Sequence, residues 1–339
     1  MKFERFSGNP IISPTPENEW ESLVTTNPAV WKEDNGDVRM LYRAAGNDDE
    51  HKVYFGLARS TDGGKTFSRE ADKPVFSPSI DGQDAGCVED PRVIKLDDWY
   101  YITYAYRPFP PGKYWVNEAD RNYFPPKCPE HFPRLLRENA TATGLLLTQD
   151  FKSFIRAGSL TEPTVDDRDV MIFPEKIDGK YWMIHRPMEW CGEGFENEHP
   201  GMWISSGEDL LSMRDSTFLA GGKYDWESGK IGGNTPPMKT KDGWLILHHS
   251  RGADTYYRVG AMLLDLNDPT KVLHRSEDYQ MQPEDNYEFE GMYEGCIFPC
   301  GKVEIDGILH IYYGAADKYV GLATCNLNEL LSYLKTCKN

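Results

Sequence analysis

The chain is poor in the features that define several large protein classes. It has no basic run: 37 Lys and Arg stand against 54 Asp and Glu, for a formal net charge of −17, and no cation cluster marks a nucleic-acid footprint. Nucleic acid is not the expected partner, and any anionic ligand needs a basic pocket inside an acidic protein. There is no long hydrophobic run either. No window approaches a membrane span, and the opening MKFERFSGNPIISP carries no apolar signal stretch. These absences set the expectation of a cytoplasmic protein with no membrane partner. The seven cysteines are an odd number without metal-like spacing, which fits reduced thiols filling a core rather than a disulfide framework. The eight histidines show no ligand spacing, so no metal is expected.

What is present is a fivefold internal repeat. Pro28, Pro91, Pro174, Pro237 and Pro299 each open a strand that leads through an acidic turn into an aromatic strand and then a Gly-led apolar one. The aromatic strands are DVRMLYR (37–43), WYYITYAY (99–106), KYWMIHR (180–186), WLILHHS (244–250) and ILHIYYG (308–314). A period of about 60 residues with several short strands in each is the pattern of a β-propeller blade. The reading is all-β: one five-bladed β-propeller over residues 1–339 with a short C-terminal helix. The helix is expected from the spacing of Leu327, Leu330, Leu331 and Leu334. Asp-Gly and related pairs at 33–37, 96–98, 177–179, 241–243 and 305–307 supply the tight hairpin turns.

Two local features stand out from the repeat. STDGGKTF (60–67) fits an Asp box, a hairpin-turn device at the outer edge of a blade rather than a catalytic element. One blade is about twenty residues too long, and the excess falls in an insertion loop at about 107–137. This loop is rich in Pro and aromatics, including Tyr114, Trp115, Tyr123 and Phe124. It could close over one face of the ring or contact another subunit of a homo-oligomer.

Equivalent positions of a propeller converge on the channel mouth, so the polar residues near each proline should face one another. These are Asn27 in the first repeat; Glu89, Asp90 and Arg92 in the second; and Asp169 and Glu175 in the third. The fourth adds Lys230 and Asn234, and the fifth adds Glu288, Glu290 and Glu294. The second strands contribute Arg43, Arg186, His249 and Asp317. His248 and His249 are neighbours on one strand and must point to opposite faces, His249 toward the channel. Charges converging in one cleft are costly without a ligand. Carboxylates suit general-acid work on a glycosidic oxygen, and Arg186, Lys230 and His249 suit an oxyanion such as phosphate. The aromatic content, 13% with nine Trp and nineteen Tyr, fits sugar stacking as well as strand packing.

With those residues in place, the chain resembles glycoside hydrolase family 130, the β-mannoside phosphorylases and related β-mannosidases. EDPRV (89–93), FPEKIDGKY (173–181), HRP (185–187), KIGG (230–233), GAMLLDLNDPTKVLHRS (260–276), FPCG (298–301) and YYGAAD (312–317) carry the resemblance along nearly the whole chain. It implies inverting cleavage of a β-mannosidic bond by a carbohydrate-active enzyme of glycosyltransferase type. The acid maps onto Asp90, which in this family delivers its proton through a substrate hydroxyl. Mannose binding maps onto Asn27, Arg43 and Asp317 with Arg92 close by, and phosphate binding onto Arg186, Lys230 and His249. No cofactor is implied beyond inorganic phosphate as co-substrate, and the partner is a β-manno-oligosaccharide, β-1,2 or β-1,4 linked.

The chain departs from part of the family. Glu175 stands where some members have an Arg, and Gly232-Gly233-Asn234-Thr235 and Tyr293-Glu294-Gly295 replace two other typical stretches. These differences point to the β-1,2-mannoside branch, which includes both phosphorylases and true hydrolases; phosphorolysis to α-mannose 1-phosphate is the preferred reading. An inverting β-mannosidase using Glu175 or Glu294 as base on water is the alternative reading. A glycan-binding propeller without catalysis, and an arabinanase-like enzyme needing three carboxylates, are further ones.

Overall fold

A computed structural model describes residues 1–113, 116 and 128–337. The segments expected to form hairpins do so, in five antiparallel sheets arranged as the blades of a propeller. After a short N-terminal strand β1 (Glu4–Arg5), the first blade holds β2 (Val24–Lys32), β3 (Val38–Ala45), β4 (Val53–Ser60) and β5 (Ser68–Arg69). The second holds β6 (Cys87–Leu96), β7 (Trp99–Arg107), β8 (Ala142–Thr148) and β9 (Ile155–Ser159), with helix α1 (Arg134–Glu138) inside the insertion. The third holds β10 (Asp167–Ile172), β11 (Tyr181–Pro187), β12 (Met202–Gly207) and β13 (Asp215–Ala220). The fourth holds β14 (Lys230–Gly233), β16 (Gly243–Arg251), β17 (Tyr257–Leu264) and β18 (Val272–Arg275), with β15 (Met238–Thr240) also paired to β16.

The fifth blade runs β19 (Ile297–Ile305), β20 (Ile308–Ala315), β21 (Tyr319–Asn326), and its outermost strand is β1. Glu4 pairs with Thr324 and Arg5 with Ala323, so the N-terminus closes the ring. A buried cluster locks that closure. Arg5 meets Glu288 through Nε at 2.9 Å and NH2 at 2.8 Å, and the Tyr313 hydroxyl donates to the same carboxylate at 2.8 Å. Glu288 therefore serves the closure and not the channel mouth where the repeat suggested it.

Helix α2 (Leu327–Thr336) follows β21, capped by Asn326, whose side chain accepts from the Glu329 amide at 3.1 Å. Its Leu330, Leu331 and Leu334 are buried, as their spacing requires. The Asp box behaves as a turn device: Ser60 Oγ and Asp62 accept backbone amides of Gly64, Lys65 and Thr66. The core lies between blades, in clusters such as Leu41, Phe55, Ile102 and Leu146 between the first and second. The expectation that Tyr114, Trp115, Tyr123 and Phe124 close over the ring falls outside the described residues.

One part of the repeat needs correction. Pro28, Pro91 and Pro299 lie within the innermost strands β2, β6 and β19, but Pro174 and Pro237 lie beyond the ends of β10 and β14. The true equivalents of Asn27 and Asp90 are set by a bulge. The register of the innermost strand slips between Thr26 and Ala29, between Glu89 and Arg92, and between Arg168 and Met171. The third repeat thus aligns on Asp169, and Pro174 with Glu175 falls farther down the channel wall.

Candidate active site

Each of those bulges contains a residue in the left-handed region: Asn27 at φ 44°, Asp90 at 51° and Asp169 at 58°. Asn and Asp tolerate this conformation better than other residues with a Cβ. Pro28 and Pro91 follow without difficulty, because a bulge position has no ladder bond for the missing N–H to make. A bulge bends the strand and re-aims its side chain. Three successive blades use it to aim Asn27, Asp90 and Asp169 into one cavity of about 350 Å³ at the channel mouth.

One side of the cavity is a carboxylate cluster. Asp90 Oδ1 accepts from Asn27 Nδ2 at 2.7 Å and from Arg43 NH1 at 3.1 Å, and neither bond uses Oδ2. Arg43 NH1 also lies 3.8 Å from Glu89. Asp317, at φ 51° in the turn after β20, completes this side. Burial raises the Asp317 pKa; the charges of Asp90 and Glu89 push the same way, and Arg43 and Lys230 oppose them. A carboxyl group in such surroundings holds a proton more tightly than one in water.

The other side is cationic. Arg186 donates Nε to Asp169 Oδ2 at 2.7 Å, and the Lys230 ammonium sits 4.9 Å from the centre of the Tyr257 ring. Arg168, across the β10–β11 ladder from Arg186, is held by both oxygens of Asp166 at 2.5 and 2.7 Å. Among the described residues Lys230 makes no ion pair within 4 Å. Burial first, and the Arg186 charge second, lower its pKa to about 7. Arg107, Pro111, Tyr293, Cys296 and Phe298 complete the lining among the described residues.

The expected site residues divide clearly. Asn27, Arg43, Asp90, Arg186, Lys230 and Asp317 meet at the cavity. Arg92 does not line it. Fully enclosed, it donates to the carbonyls of Asp90 (2.9 Å), Asn234 (2.9 Å) and Gly233 (3.3 Å), plugging the channel below the site and tying the second blade to the fourth. His249 is on the channel side of its strand, with His248 turned away onto Trp226, yet His249 stands behind Asp169 rather than in the cavity. Glu175 is far from the site: it pairs with Lys239 at 2.5 Å, next to the Pro174, Pro236 and Pro237 that line the opposite mouth. Glu294 is exposed and lines no part of the cavity, although its neighbour Tyr293 does.

Arg168 and Asp169 are the functional-looking residues whose places the proline alignment obscured. The signal was in the sequence. Aligning NPAVW, DPRVI and DVMIF on the polar residue before each apolar run puts Asp169 level with Asn27 and Asp90, and Arg168 beside it. Among the described residues no group of three His, Cys, Asp or Glu side chains is placed to hold a metal ion, and no helix is long and apolar enough to cross a membrane.

A five-bladed propeller with carboxylates facing cations across a small polar cavity is an architecture suited to a carbohydrate-active enzyme. Residues 3–114 and 138–336 match the model of glycoside hydrolase family 130, described as beta-1,4-mannooligosaccharide phosphorylase, and the chain belongs to this family. The unmatched stretch falls within the insertion. The chain is 33% identical to a 1,2-beta-oligomannan phosphorylase of Thermoanaerobacter sp. over 97% of its length and 99% of the relative's. It is 26% identical to a beta-1,4-mannooligosaccharide phosphorylase of Ruminococcus albus over 98% and 90% of the two chains. Its fold is similar to that of the beta-1,2-mannobiose phosphorylase from Listeria innocua in complex with beta-1,2-mannobiose, with TM-score 0.79, 28% identity and coverage of 99% and 100%.

Proposed function

We propose that this chain is an inverting phosphorylase of β-1,2-linked manno-oligosaccharides, releasing α-mannose 1-phosphate. The observation that carries the reading is the wall of Arg168, Arg186 and Lys230 facing Asp90 across the cavity. Asp90 donates the proton to the leaving oxygen, while Asn27, Arg43 and Asp317 hold the mannose. Phosphate, held by Arg186 and Lys230 with Arg168 beside them, attacks the anomeric carbon from the opposite face. The C1–O bond to the leaving sugar breaks as the C1–O bond to phosphate forms, and the Asp90 proton ends on the leaving hydroxyl. Phosphate is already an anion, so a second carboxylate base is unnecessary, unlike in hydrolytic inversion.

The β-1,2 linkage rests on the higher identity to the 1,2-beta-oligomannan phosphorylase than to the beta-1,4 relative. The hydrolase reading loses its two bases, because neither Glu175 nor Glu294 reaches the cavity. A cytoplasmic location belongs to the same proposal: a sugar phosphate made inside a cell is retained there by its charge. The test is turnover of β-1,2- and β-1,4-mannobiose with and without inorganic phosphate, with products resolved by NMR. Mannose 1-phosphate formed from the β-1,2 substrate only when phosphate is present supports the proposal. Free mannose released equally without phosphate overturns it.

A further inference from the structure

Lys302 is a buried lysine that the chemistry of the carboxylate cavity does not use. It reaches from β19 toward the opposite mouth of the channel, and only 9% of it is exposed. An open groove of about 360 Å³ includes it, walled by Val30, Val93, Ile94, Pro236 and Pro237.

The hydrogen bonds around its nitrogen fit an amine better than an ammonium. Nζ donates to Thr235 Oγ1 at 2.8 Å and to the Pro236 carbonyl. An ammonium has three hydrogens to place and an amine has two. Among the described residues no carboxylate lies within 4 Å of Nζ to hold a charge. Lys32, Lys239 and Glu304 stand at the exposed rim of this mouth, where Glu175 is taken by Lys239 and Glu304 accepts the Gly307 amide. On the channel side, the carbonyl of Asn234, next to Thr235, is taken by Arg92. Burial alone acts on Lys302 and lowers its pKa to about 7.

An amine with both hydrogens engaged keeps its lone pair unused, here on a side chain that lines an apolar groove. Desolvated lysines of this kind attack carbonyl carbon. We propose that Lys302 forms an imine with small apolar aldehydes that enter the opposite mouth of the channel. The lone pair attacks the carbonyl carbon, and the two amine hydrogens leave with the carbonyl oxygen as water. The nitrogen of the new C=N bond then accepts from the Thr235 hydroxyl, whose hydrogen turns toward it. The adduct is neutral where it is buried, so an uncharged aldehyde suits the walls and an anionic one does not.

The test is reductive labelling of the wild-type chain at about pH 7.5 with butanal and cyanoborohydride, which fixes each imine as a secondary amine, followed by peptide mapping. An ordinary lysine is almost wholly protonated at that pH, so Lys302 is expected to label about 10-fold faster than the exposed Lys32 and Lys239. Its rate should level off above about pH 7, whereas that of a lysine in water climbs toward about pH 10. With glyoxylate, a charged aldehyde, the preference for Lys302 should disappear. Labelling no faster than at Lys32, a rate that rises in parallel with Lys239, or an equal preference with glyoxylate would each overturn the proposal. No variant has to fold and turnover is not the readout, so the result is independent of the phosphorylase reading of the other mouth.

Discussion

At the scale of single residues, Asp90 carries the proposed chemistry and Lys230 its dependence on pH. Asp90→Asn keeps an oxygen for Asn27 and Arg43 but removes the transferable proton. Steady-state assays should show kcat reduced by about 10²- to 10⁴-fold with the circular dichroism unchanged. Lys230 has its pKa lowered to about 7 by burial and by Arg186. Its ammonium form, the one that binds an anion, is populated below that value and lost above it. The ratio kcat/KM for phosphate, expressed per concentration of dianion, should therefore fall as pH rises through about 7, and Lys230→Met should abolish that limb. Asn27, Arg43, Asp90, Arg186, Lys230 and Asp317 could be named from the sequence because each lies next to a strand end or a break that the repeat marks. Arg92 and His249 could be placed near the site but not beneath it, since depth depends on what packs in front of a side chain.

At the scale of elements, the bulged inner strand is the unit that builds the site, and Gly232 in β14 packs closely against the bulge of β10. Gly232→Ala forces Asp169, His249 or Arg186 to move, since none of the three contacts is longer than 2.9 Å. The expected cost is about 1–3 kcal/mol in denaturant unfolding, together with a raised phosphate KM. A variant of unchanged stability and KM would show that the three groups have slack. Hairpins, the Asp box and helix α2 were all legible, because turn chemistry and leucine spacing are local. The alignment of the third and fourth repeats was not. Proline marks a strand that lacks a ladder bond, and Pro174 and Pro237 do this past the strand end while Pro28 and Pro91 do it inside a bulge. Taking all five as equivalent moved Glu175 to the wrong mouth of the channel.

At the scale of the whole molecule, the ring is held by its closure and by what fills its channel. Glu288→Ala leaves the partly buried Arg5 with Glu284 and the Gln282 carbonyl, and strips the buried Tyr313 hydroxyl of its carboxylate. The expected cost is about 1–3 kcal/mol, readable in a denaturant titration. Lys302 is the complementary case. It is enclosed in the channel, its Nζ donating to Thr235 Oγ1 at 2.8 Å and to the Pro236 carbonyl, and burial lowers its pKa to about 7. The unfolded chain keeps this lysine protonated up to about pH 10.4, so between about pH 7 and pH 10 the unfolded state binds more protons. The penalty of burying the ammonium is complete below about pH 7 and fades as pH rises. Wild type should therefore gain stability relative to Lys302→Met across that window, by a few kcal/mol at most (about 1.4 per pKa unit). A constant difference would mean that Lys302 stays charged throughout.

The sequence by itself determined the blade count, the hairpins, the closing helix and the family, because these depend on local turn chemistry and on a period repeated along the chain. Only the tertiary structure decided that β1 joins the fifth sheet, that Glu288 serves this closure, and that Arg92 is a plug. It also decided that Asp169 stands between His249 and the cavity. Those outcomes depend on which side chains from distant blades meet in the channel, and strand periodicity tells a side chain's face but not its depth.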